Sequence, residues 1–384
     1  MTNRTTMTGS WYRTPEVLAL LATAPTGELG PEHETVYLAA ERKAIQDQVR
    51  PAGAARGLDQ VSPGEQRVSG YTAYLPHRFD GFSTTERQPM SFSPGLLADF
   101  QESNPALAAQ LASQGAAFAL PKLVAPLKYR GVEPSRRAAQ DAVRLAREEG
   151  APGVFLPTAS PGVITIFYPN NPNVYPNHAE YLGVVATELA KEYRAILDVP
   201  GVTLQIDAPD LAMGKQTATD WGTDFYAAVP LHVDAINRAI EGLPRDRIRV
   251  HYCYGNYAAS HSTDADFARV LPELVRLRVS ALVGELANPR HEGDLLILRE
   301  FAREHGWPKG LAFVGGVIDV KTPIVETPRT VRLRLDLLGQ AVGAENAWGG
   351  TDCGFETFAH MNGVTRAVGL QKLRALVEGA QLPS

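Results

Sequence analysis

The sequence predicts an α/β fold, a (β/α)8 TIM barrel, from three observations. Strand-like runs recur along the chain and most are followed by an amphipathic helical pattern, which indicates parallel strands joined by helices. The runs are mostly apolar rather than alternating, as strands are when both faces are covered. Residues with metal-binding or acid–base chemistry follow the carboxyl ends of several runs, which is where barrel active sites are built.

Nine runs are strand candidates, one more than a barrel needs. They are TMTGSWY (6–12), QVSPGE (60–65), FALPKLVAP (118–126), GVFLPTA (153–159), VTLQIDA (202–208), RIRVHYC (247–253), SALVGEL (280–286), AFVGGVID (312–319) and NAWGGTDC (346–353). The stretch 153–177 is rich in Pro and Asn, so we expect it to shape the mouth of the site rather than to complete the barrel.

Helical periodicity separates the strand candidates. In the segment 178–197, Leu182, Val185 and Leu189 recur three or four positions apart, with charged residues elsewhere. The segments 230–244, 264–278 and 328–342 behave similarly, although Pro272 is expected to kink or restart the second of these. No GxGxxG or GxxxxGK[ST] motif follows the first strands, which favours the barrel over the common doubly wound nucleotide-binding folds.

Length and composition are consistent with one large domain. A chain of 384 residues with 44% hydrophobic residues can bury a sizeable core. We expect a single barrel domain over residues 1–384, with inserted loop regions near 55–90 and 158–177 and with residues 1–4 flexible.

Charge and cysteine content limit the classes of binding partner and the compartment that we expect. The formal net charge is −5 and both signs are scattered along the chain, which argues against nucleic acid or an anionic membrane surface as a partner. No stretch reaches the ~18 continuous apolar residues of a membrane span. Two cysteines are too few for a disulfide framework and fit a reducing compartment. We therefore expect a cytoplasmic protein that acts on small molecules, and a homo-oligomer is left open.

The stretch HYCYGNY (251–257) contains the most specific chemistry. His251 and Cys253 are two residues apart at the end of a strand, so their side chains can point to the same side. Glu285 and Cys353 follow two other strand candidates, and the four residues together would suit tetrahedral Zn²⁺. The His-x-Cys pair alone is a weak signal, and a pair of buried core cysteines remains the alternative.

Ordered sequence blocks resemble the catalytic C-terminal domain of cobalamin-independent methionine synthase. They are TTMTGS (5–10), SPGEQR (62–67), LQIDAP (204–209), HYCYGNY, GEL (284–286), GVID (316–319) and TDCGFET (351–357). In LQIDAPDLAM (204–213), ANPRH (287–291) and GGTDCGF (349–355), the chain is more similar to short single-barrel members described as epoxyalkane:coenzyme M transferases. The resemblance runs from about residue 5 to about residue 365 and implies a barrel of the methionine synthase/uroporphyrinogen decarboxylase type.

The resemblance implies a cofactor and a reaction. It implies Zn²⁺ held by His251, Cys253, Glu285 and Cys353. It implies a zinc-dependent thiol S-alkyltransferase in which a small thiol is activated as a thiolate that attacks an electrophilic carbon of an alkyl donor. That carbon belongs either to an epoxide, with coenzyme M as the thiol, or to a methyl group that is transferred to homocysteine. A C–S lyase or demethylase that runs the same chemistry in reverse, and a non-catalytic barrel that binds a small ligand, remain alternatives.

The chain departs from the methionine synthase pattern near the expected substrate. Glu65 and Asp207 match acids that bind the homocysteine amino group in the synthases, but Ala208 stands where the synthases have a second acid. The synthases' Asp-Ile-His is Asp319-Val320-Lys321 here, so Asp319 and Lys321 are the candidate catalytic residues, and Lys321 would donate a proton or hold an anionic group. The substrate-binding candidates are Glu65, Asp207, Tyr254, Asn256 and Asp352, and further pocket-shaping candidates are Tyr71, His77, Arg78, Tyr168 and His291.

Overall fold

A six-stranded parallel sheet forms most of the barrel. The computed structural model describes residues 3–24, 26–89, 94–106, 108–109, 119–217, 221–361 and 363–383. The sheet contains, in chain order, β3 (Val154–Ala159), β4 (Val202–Asp207), β5 (Ile248–His251), β6 (Ala281–Glu285), β7 (Ala312–Ile318) and β8 (Ala347–Thr351). A separate antiparallel pair consists of β1 (Phe79–Pro89) and β2 (Ala119–Tyr129).

Two short extended segments close the sheet into a barrel. Thr5 pairs in parallel with Gly349 of β8, and Val61 pairs in parallel with Val154 of β3. The backbone N–H groups of Asp59 and Gln60 donate to the Thr5 carbonyl oxygen at 2.9 and 3.2 Å, which joins the two segments. Eight strand-like segments therefore follow one another around the axis, and the predicted (β/α)8 barrel is confirmed.

Helices pack around the barrel and follow the predicted pattern. Two predicted segments, His178–Leu197 and Pro328–Val342, are helices with those bounds. Pro272 lies inside a helix that ends two residues later, at Leu274. No helix in the described part of the chain is both long and apolar enough to cross a membrane. The helices are Pro15–Leu21, Glu34–Val49, Pro94–Ser103, Val132–Glu148, Pro161–Phe167, His178–Leu197, Gly214–Thr217, Phe225–Ala239, Phe267–Leu274, Asp294–His305, Pro328–Val342 and Arg366–Gln381.

The prediction of which strand candidate lies outside the barrel was wrong. The 153–177 stretch was expected to stay outside, but its β3 pairs with β4 on one side and with Val61 on the other. The run at 118–126, of which the part from Ala119 onwards is described, lies in β2 and pairs with β1 instead. Pro121 and Pro126 lack the N–H groups that a central strand donates, and Val124 is 40% exposed, so this apolar run suits an edge rather than a barrel wall.

The two regions that were predicted as inserted loops contain strands and helices. Residues 55–90 include the barrel-closing Val61 and β1, and residues 158–177 include the end of β3 and the helix Pro161–Phe167. Of the residues expected to be flexible, 1 and 2 lie outside the described residues. The Asn3 side chain donates to the Ala347 carbonyl oxygen at 2.8 Å, which ties the chain to the base of β8.

The helix Pro94–Ser103, which lies between β1 and β2 in the chain, docks on the loop that follows β5. Asp99, on the helix Pro94–Ser103, is fully buried. Its carboxylate accepts hydrogen bonds from the hydroxyl groups of Tyr257, Ser260 and Thr263 at 3.0, 3.2 and 3.3 Å. These hydrogen bonds place the helix Pro94–Ser103 against the loop that follows His251 and Cys253.

Candidate metal centre

One imidazole and two thiols converge at the carboxyl end of the barrel. His251 ends β5, Cys253 lies two residues further on, and Cys353 lies two residues beyond the end of β8. One ligand atom from each of the three lies within 4.8 Å of the others, and the Cys353 Sγ to His251 Nε2 distance is 4.0 Å. All three residues are buried. The structure therefore brings together three of the four predicted zinc ligands.

Strand register orients the His251 ring. His251 lies opposite Val283 in the β5–β6 ladder, and its Nδ1 donates to the Val283 carbonyl oxygen at 3.3 Å. This contact leaves Nε2 as the ring nitrogen that faces the Cys353 sulfur, 4.0 Å away. A backbone carbonyl in this place is the usual way that a metal-ligating histidine is fixed.

The pKa values of the two cysteine thiols shift in opposite directions. A hydrogen bond from the Cys253 thiol lowers the pKa of Cys353 well below its ordinary value, and His251 lowers it further although burial opposes both. The same Cys353 sulfur, together with burial, raises the pKa of Cys253. The two thiols therefore titrate as a coupled pair, and a second negative charge on the pair needs a compensating cation.

This donor set fits a zinc ion. Neutral imidazole and thiolates are ligands that Zn²⁺ prefers, and catalytic zinc sites commonly have three protein ligands. A metal cation would also compensate the two thiolate charges that burial otherwise disfavours.

Glu285, the fourth predicted ligand, is not part of the group within 4.8 Å. It is fully buried at the end of β6. Its Oε2 accepts hydrogen bonds from Lys321 Nζ at 2.6 Å and from Asn288 Nδ2 at 2.9 Å, and its Oε1 accepts one from the Tyr254 backbone N–H at 3.2 Å. Burial alone would raise the pKa of Glu285, but Lys321, His291 and His261 together outweigh burial and lower it.

Two further acids interact electrostatically with Cys353. Asp207 ends β4 opposite His251 and accepts a hydrogen bond from Gln205 Nε2 at 2.7 Å. Burial raises the pKa of Asp207 to about 6, although His251 and Gln205 oppose it and Cys353 adds to it. The pKa of Glu65 is raised to about 8 by burial, with further contributions from Asp207 and Cys353 against the opposing effect of Arg13. These two acids therefore lie within electrostatic reach of the Cys353 sulfur.

Glu65 is held in an unusual conformation beside a buried arginine. Its φ is +57°, in the left-handed region that non-glycine residues rarely adopt. Glu65 Oε2 lies 3.9 Å from Arg13 Nη2, and neither buried atom has a hydrogen-bond partner within the described part of the chain. An unsatisfied buried pair of this kind is typical of a site that a ligand or water completes.

The remaining substrate-binding candidates mainly contact the protein itself. Both carboxylate oxygens of Asp352 accept backbone N–H groups, from Leu286 and Ala287 at 2.9 Å and from Asn288 at 3.0 Å. The Tyr254 ring stacks on His291 with centroids 3.6 Å apart.

Asn256 and Asp319 also have partners within the chain. Asn256 Nδ2 donates to the Gly354 carbonyl oxygen at 2.8 Å and to Thr357 Oγ1 at 2.7 Å, which ties the loop after β5 to the loop after β8. Asp319 Oδ1 accepts the Lys321 backbone N–H at 2.8 Å. Both residues therefore order loops around the site.

Tyr71 is a pocket-shaping candidate within electrostatic reach of both cysteines. Burial raises the pKa of its hydroxyl, and the charges of Cys253, Asp207 and Cys353 raise it further. Its ring packs against Phe167 and Phe358, with centroids 6.1 and 5.6 Å apart. Tyr71 therefore belongs to an aromatic cluster near the two cysteines.

Sequence reasoning missed three residues that support the site. Arg13 and Asn288 gave no signal, because neither burial nor a contact to a distant carboxylate can be read from spacing. Gln205 did give a sequence signal, since it lies two residues before Asp207 and therefore on the same face of β4. Arg249 Nε donates to Gln205 Oε1 at 2.8 Å and completes a buried relay to Asp207.

Solved structures identify the class of fold. A B12-independent methionine synthase from Shewanella sp. W3-18-1, in complex with selenomethionine, matches with a TM-score of 0.68 and 21% identity over 99% of this chain and 97% of that chain. A putative vitamin-B12 independent methionine synthase from Listeria monocytogenes matches with a TM-score of 0.62 and 18% identity, over 97% of this chain and 95% of that chain. The fold is thus that of these barrels.

Curated proteins of two different names match part of the chain. A 2-hydroxypropyl-CoM lyase of Xanthobacter autotrophicus is 26% identical over 171 residues, covering 39% of this chain and 44% of the relative. A methionine synthase of Saccharolobus solfataricus is 24% identical over 208 residues, covering 54% of this chain and 52% of the relative. The matches thus span about half the length of these relatives. No protein-family model matches the chain. The predicted resemblance to both groups is confirmed.

Proposed function

We propose that this protein is a zinc-dependent thiol S-alkyltransferase. The convergence of His251, Cys253 and Cys353 within 4.8 Å supports the proposal most strongly, because the three come from two strand ends far apart in the chain. Both groups of relatives carry names that concern sulfur compounds, methionine and a CoM thioether. Glu285 would act beside these three residues as the fourth member of the centre.

The chain's own residues would bind and orient the thiol. A zinc ion at this centre would supply a positive charge that lowers the pKa of the substrate thiol, so that its sulfur is anionic at neutral pH. Asp207 and Glu65 both interact electrostatically with Cys353 and would hold a positively charged group of the substrate. The burial of all these groups excludes water and strengthens each electrostatic contact.

The two acids favour a thiol with an amino group. Burial raises the pKa values of Asp207 and Glu65, Asp207 raises that of Glu65 further, and an ammonium group near both acids would offset this repulsion. Homocysteine carries such a group, whereas the sulfonate of coenzyme M would add a further negative charge. We therefore propose a homocysteine-like thiol as substrate.

For the alkyl donor we propose a chemical class, and for the proton donor one candidate residue. The donor presents an electrophilic carbon, either a methyl group or an epoxide ring carbon, and its leaving atom takes up a proton. Asp319 stays the candidate acid for this step. Lys321 Nζ is bound to Glu285 at 2.6 Å, which favours a positioning role for this residue instead.

A second candidate is cleavage of a C–S bond by the same residues. The similarity to a protein named 2-hydroxypropyl-CoM lyase supports this direction. Reversal leaves the binding roles of His251, Cys253 and Cys353 unchanged, since the sulfur of the product thiol would occupy the same place.

Calorimetric thiol binding tests the proposed substrate class. Zinc-loaded protein should bind homocysteine, and Asp207→Asn should weaken that binding by roughly tenfold, because a charge-assisted hydrogen bond is lost. The same variant should leave the binding of 3-mercaptopropionate, which lacks the amino group, unchanged. If coenzyme M binds more tightly than homocysteine and Asp207→Asn has no effect, the amino-thiol proposal is wrong. If no thiol binds the zinc-loaded protein, the alternative of a barrel that binds another small ligand gains support.

A further inference from the structure

His291 is a buried histidine to which the proposed function gives no role. It ends the ANPRH motif (287–291), and the residue is 4% exposed. Its ring stacks on the Tyr254 ring, with centroids 3.6 Å apart and an interplanar angle of 8°. Tyr254 directly follows Cys253 in the chain, so His291 packs against the segment that carries one of the two cysteines.

Both ring nitrogens of His291 face carboxylates. Nε2 lies 2.6 Å from Asp264 Oδ2, and Nδ1 lies 2.9 Å from Asp294 Oδ2. An ionised carboxylate can only accept hydrogen bonds, whereas a neutral imidazole has one donor nitrogen and one acceptor nitrogen. Two hydrogen bonds to ionised carboxylates therefore need a proton on each ring nitrogen, which makes the ring an imidazolium.

The groups that face this ring come from three places in the chain. Asp264 and His261 belong to the loop after β5, where His261 Nδ1 lies 3.1 Å from Asp264 Oδ1. Asp294 is the first residue of the helix Asp294–His305. Glu285 ends β6 and acts on the ring electrostatically. Three carboxylates therefore surround the position of one buried cation.

These charges favour the protonated ring. Burial opposes a charge on His291, but hydrogen bonds to Asp264 and Asp294 and the charge of Glu285 raise its pKa to about 9. Burial likewise opposes a charge on Asp264, but hydrogen bonds from His261 and His291 lower the pKa of this carboxyl group. A buried charge is tolerated when it is paired and hydrogen-bonded in this way.

Tyr254 connects this histidine to the candidate metal centre. Its hydroxyl group donates to Asp294 Oδ2 at 3.4 Å, and its backbone N–H donates to Glu285 Oε1 at 3.2 Å. That N–H belongs to the peptide bond between Cys253 and Tyr254. A cation over the face of an aromatic ring is attracted to the ring's quadrupole, which adds to the packing of the stack. The stack therefore holds the peptide next to Cys253.

We infer that His291 is a positioning residue that stays protonated at neutral pH and holds Tyr254, and with it the peptide that follows Cys253. Its two carboxylate partners fix the ring, and the ring fixes Tyr254. The inference needs no bound metal, because all of these contacts are made within the chain. It therefore goes beyond the proposed function and does not rest on it.

NMR of metal-free protein that is labelled with 15N in its histidines tests the charge of His291. At about pH 7, both ring nitrogens should show the chemical shift of protonated nitrogen. This signal, assigned by its loss in His291→Gln, should titrate at about pH 9. Asp294→Asn should move the titration to lower pH by about one unit or more, because one of the anions is lost. A ring nitrogen without a proton at about pH 7 in the wild type would overturn the inference, since the shared proton would then lie on a carboxylate.

Amide hydrogen exchange tests the positioning role. The Tyr254 amide donates to Glu285, so its exchange should become roughly tenfold faster or more in His291→Gln, where the stack is lost. His305→Gln, at an exposed histidine, is the matched control and should leave this exchange unchanged. Asp294→Asn should also accelerate it, so that the test does not depend on the folding of one variant.

The helix His178–Leu197 reports on the fold as a whole in the same experiment. Faster exchange at Tyr254 with unchanged exchange in this helix is the expected result. Unchanged exchange at Tyr254, or an equal acceleration in the helix, would overturn the local positioning role of His291. Failure of the protein to bind zinc would contradict the proposed function and leave this inference in place.

Discussion

Glu65 is a residue whose ionisation the fold opposes. Burial raises its pKa from the ordinary value of 4.5 to about 8. Between these pH values the carboxyl group is neutral in the folded protein and ionised in the unfolded chain. Stability from this residue is therefore present below about pH 4.5 and is lost as the pH rises to about 8.

Replacement of this acid should stabilise the ligand-free protein at alkaline pH. We expect Glu65→Gln to raise the free energy of unfolding by on the order of 2 kcal/mol at pH 9 and by little at pH 5, since glutamine carries no charge to bury. Urea unfolding of metal-free protein at several pH values measures this. Glu304→Gln, at a side chain that is 60% exposed, is the control. A gain that does not vary with pH would contradict the assigned cause.

The residue scale also shows where prediction from sequence stops. His251, Cys253 and Cys353 were predicted as ligands, and the structure brings them together, because strand ends of one barrel meet at one face. Glu285 and Lys321 were both named, but their contact was not foreseen, since it depends on two loops folding towards each other. Arg13 was missed because nothing in its neighbourhood of the sequence indicates burial.

At the scale of elements, glycines allow the strand ends to approach closely enough to form the site. A Cβ atom at Gly354, the residue after Cys353, would lie 2.0 Å from Ser10 Oγ and 3.0 Å from both the Ser10 nitrogen and the Thr8 oxygen. Backbone atoms on the facing segment cannot yield as a flexible side chain can. The glycine in this motif therefore has a packing reason that is independent of catalysis.

Substitution of this glycine should damage the centre without removing a ligand. Gly354→Ala is expected to lower the free energy of unfolding by roughly 1–3 kcal/mol, because the loop that carries Cys353 must shift. It should also weaken zinc binding. Gly293→Ala is the matched control, since nothing lies within 4 Å of a Cβ atom there. Unfolding and zinc affinity like those of the wild type in Gly354→Ala would contradict the packing argument.

Elements with a regular apolar or amphipathic pattern were predicted well. The helices His178–Leu197 and Pro328–Val342 match their predicted bounds, because each has a long periodic face and a capping side chain, Asn177 and Thr327. The choice between β2 and β3 as the strand outside the barrel failed. Both runs are apolar, and the partner of a strand depends on the rest of the sheet, which a single run does not reveal.

At the scale of the whole molecule, the barrel explains why so few local signals define the site. The centre draws on β4, β5, β6 and β8, so its residues are distant in sequence and near in space. The fold class followed from the alternation of strands and helices. The closing segments make only isolated strand pairs, at Thr5 and Val61, yet the sequence predicts a strand next to the first and around the second.

The central claim is that the barrel end holds a zinc ion that activates a thiol, and zinc K-edge absorption tests it most directly. Purified protein should contain about one equivalent of zinc, with two sulfur neighbours from Cys253 and Cys353, and homocysteine should add a third. Cys353→Ser should lose most of the zinc. A protein without zinc, or a zinc site whose sulfur count stays the same when the thiol is added, would contradict the account.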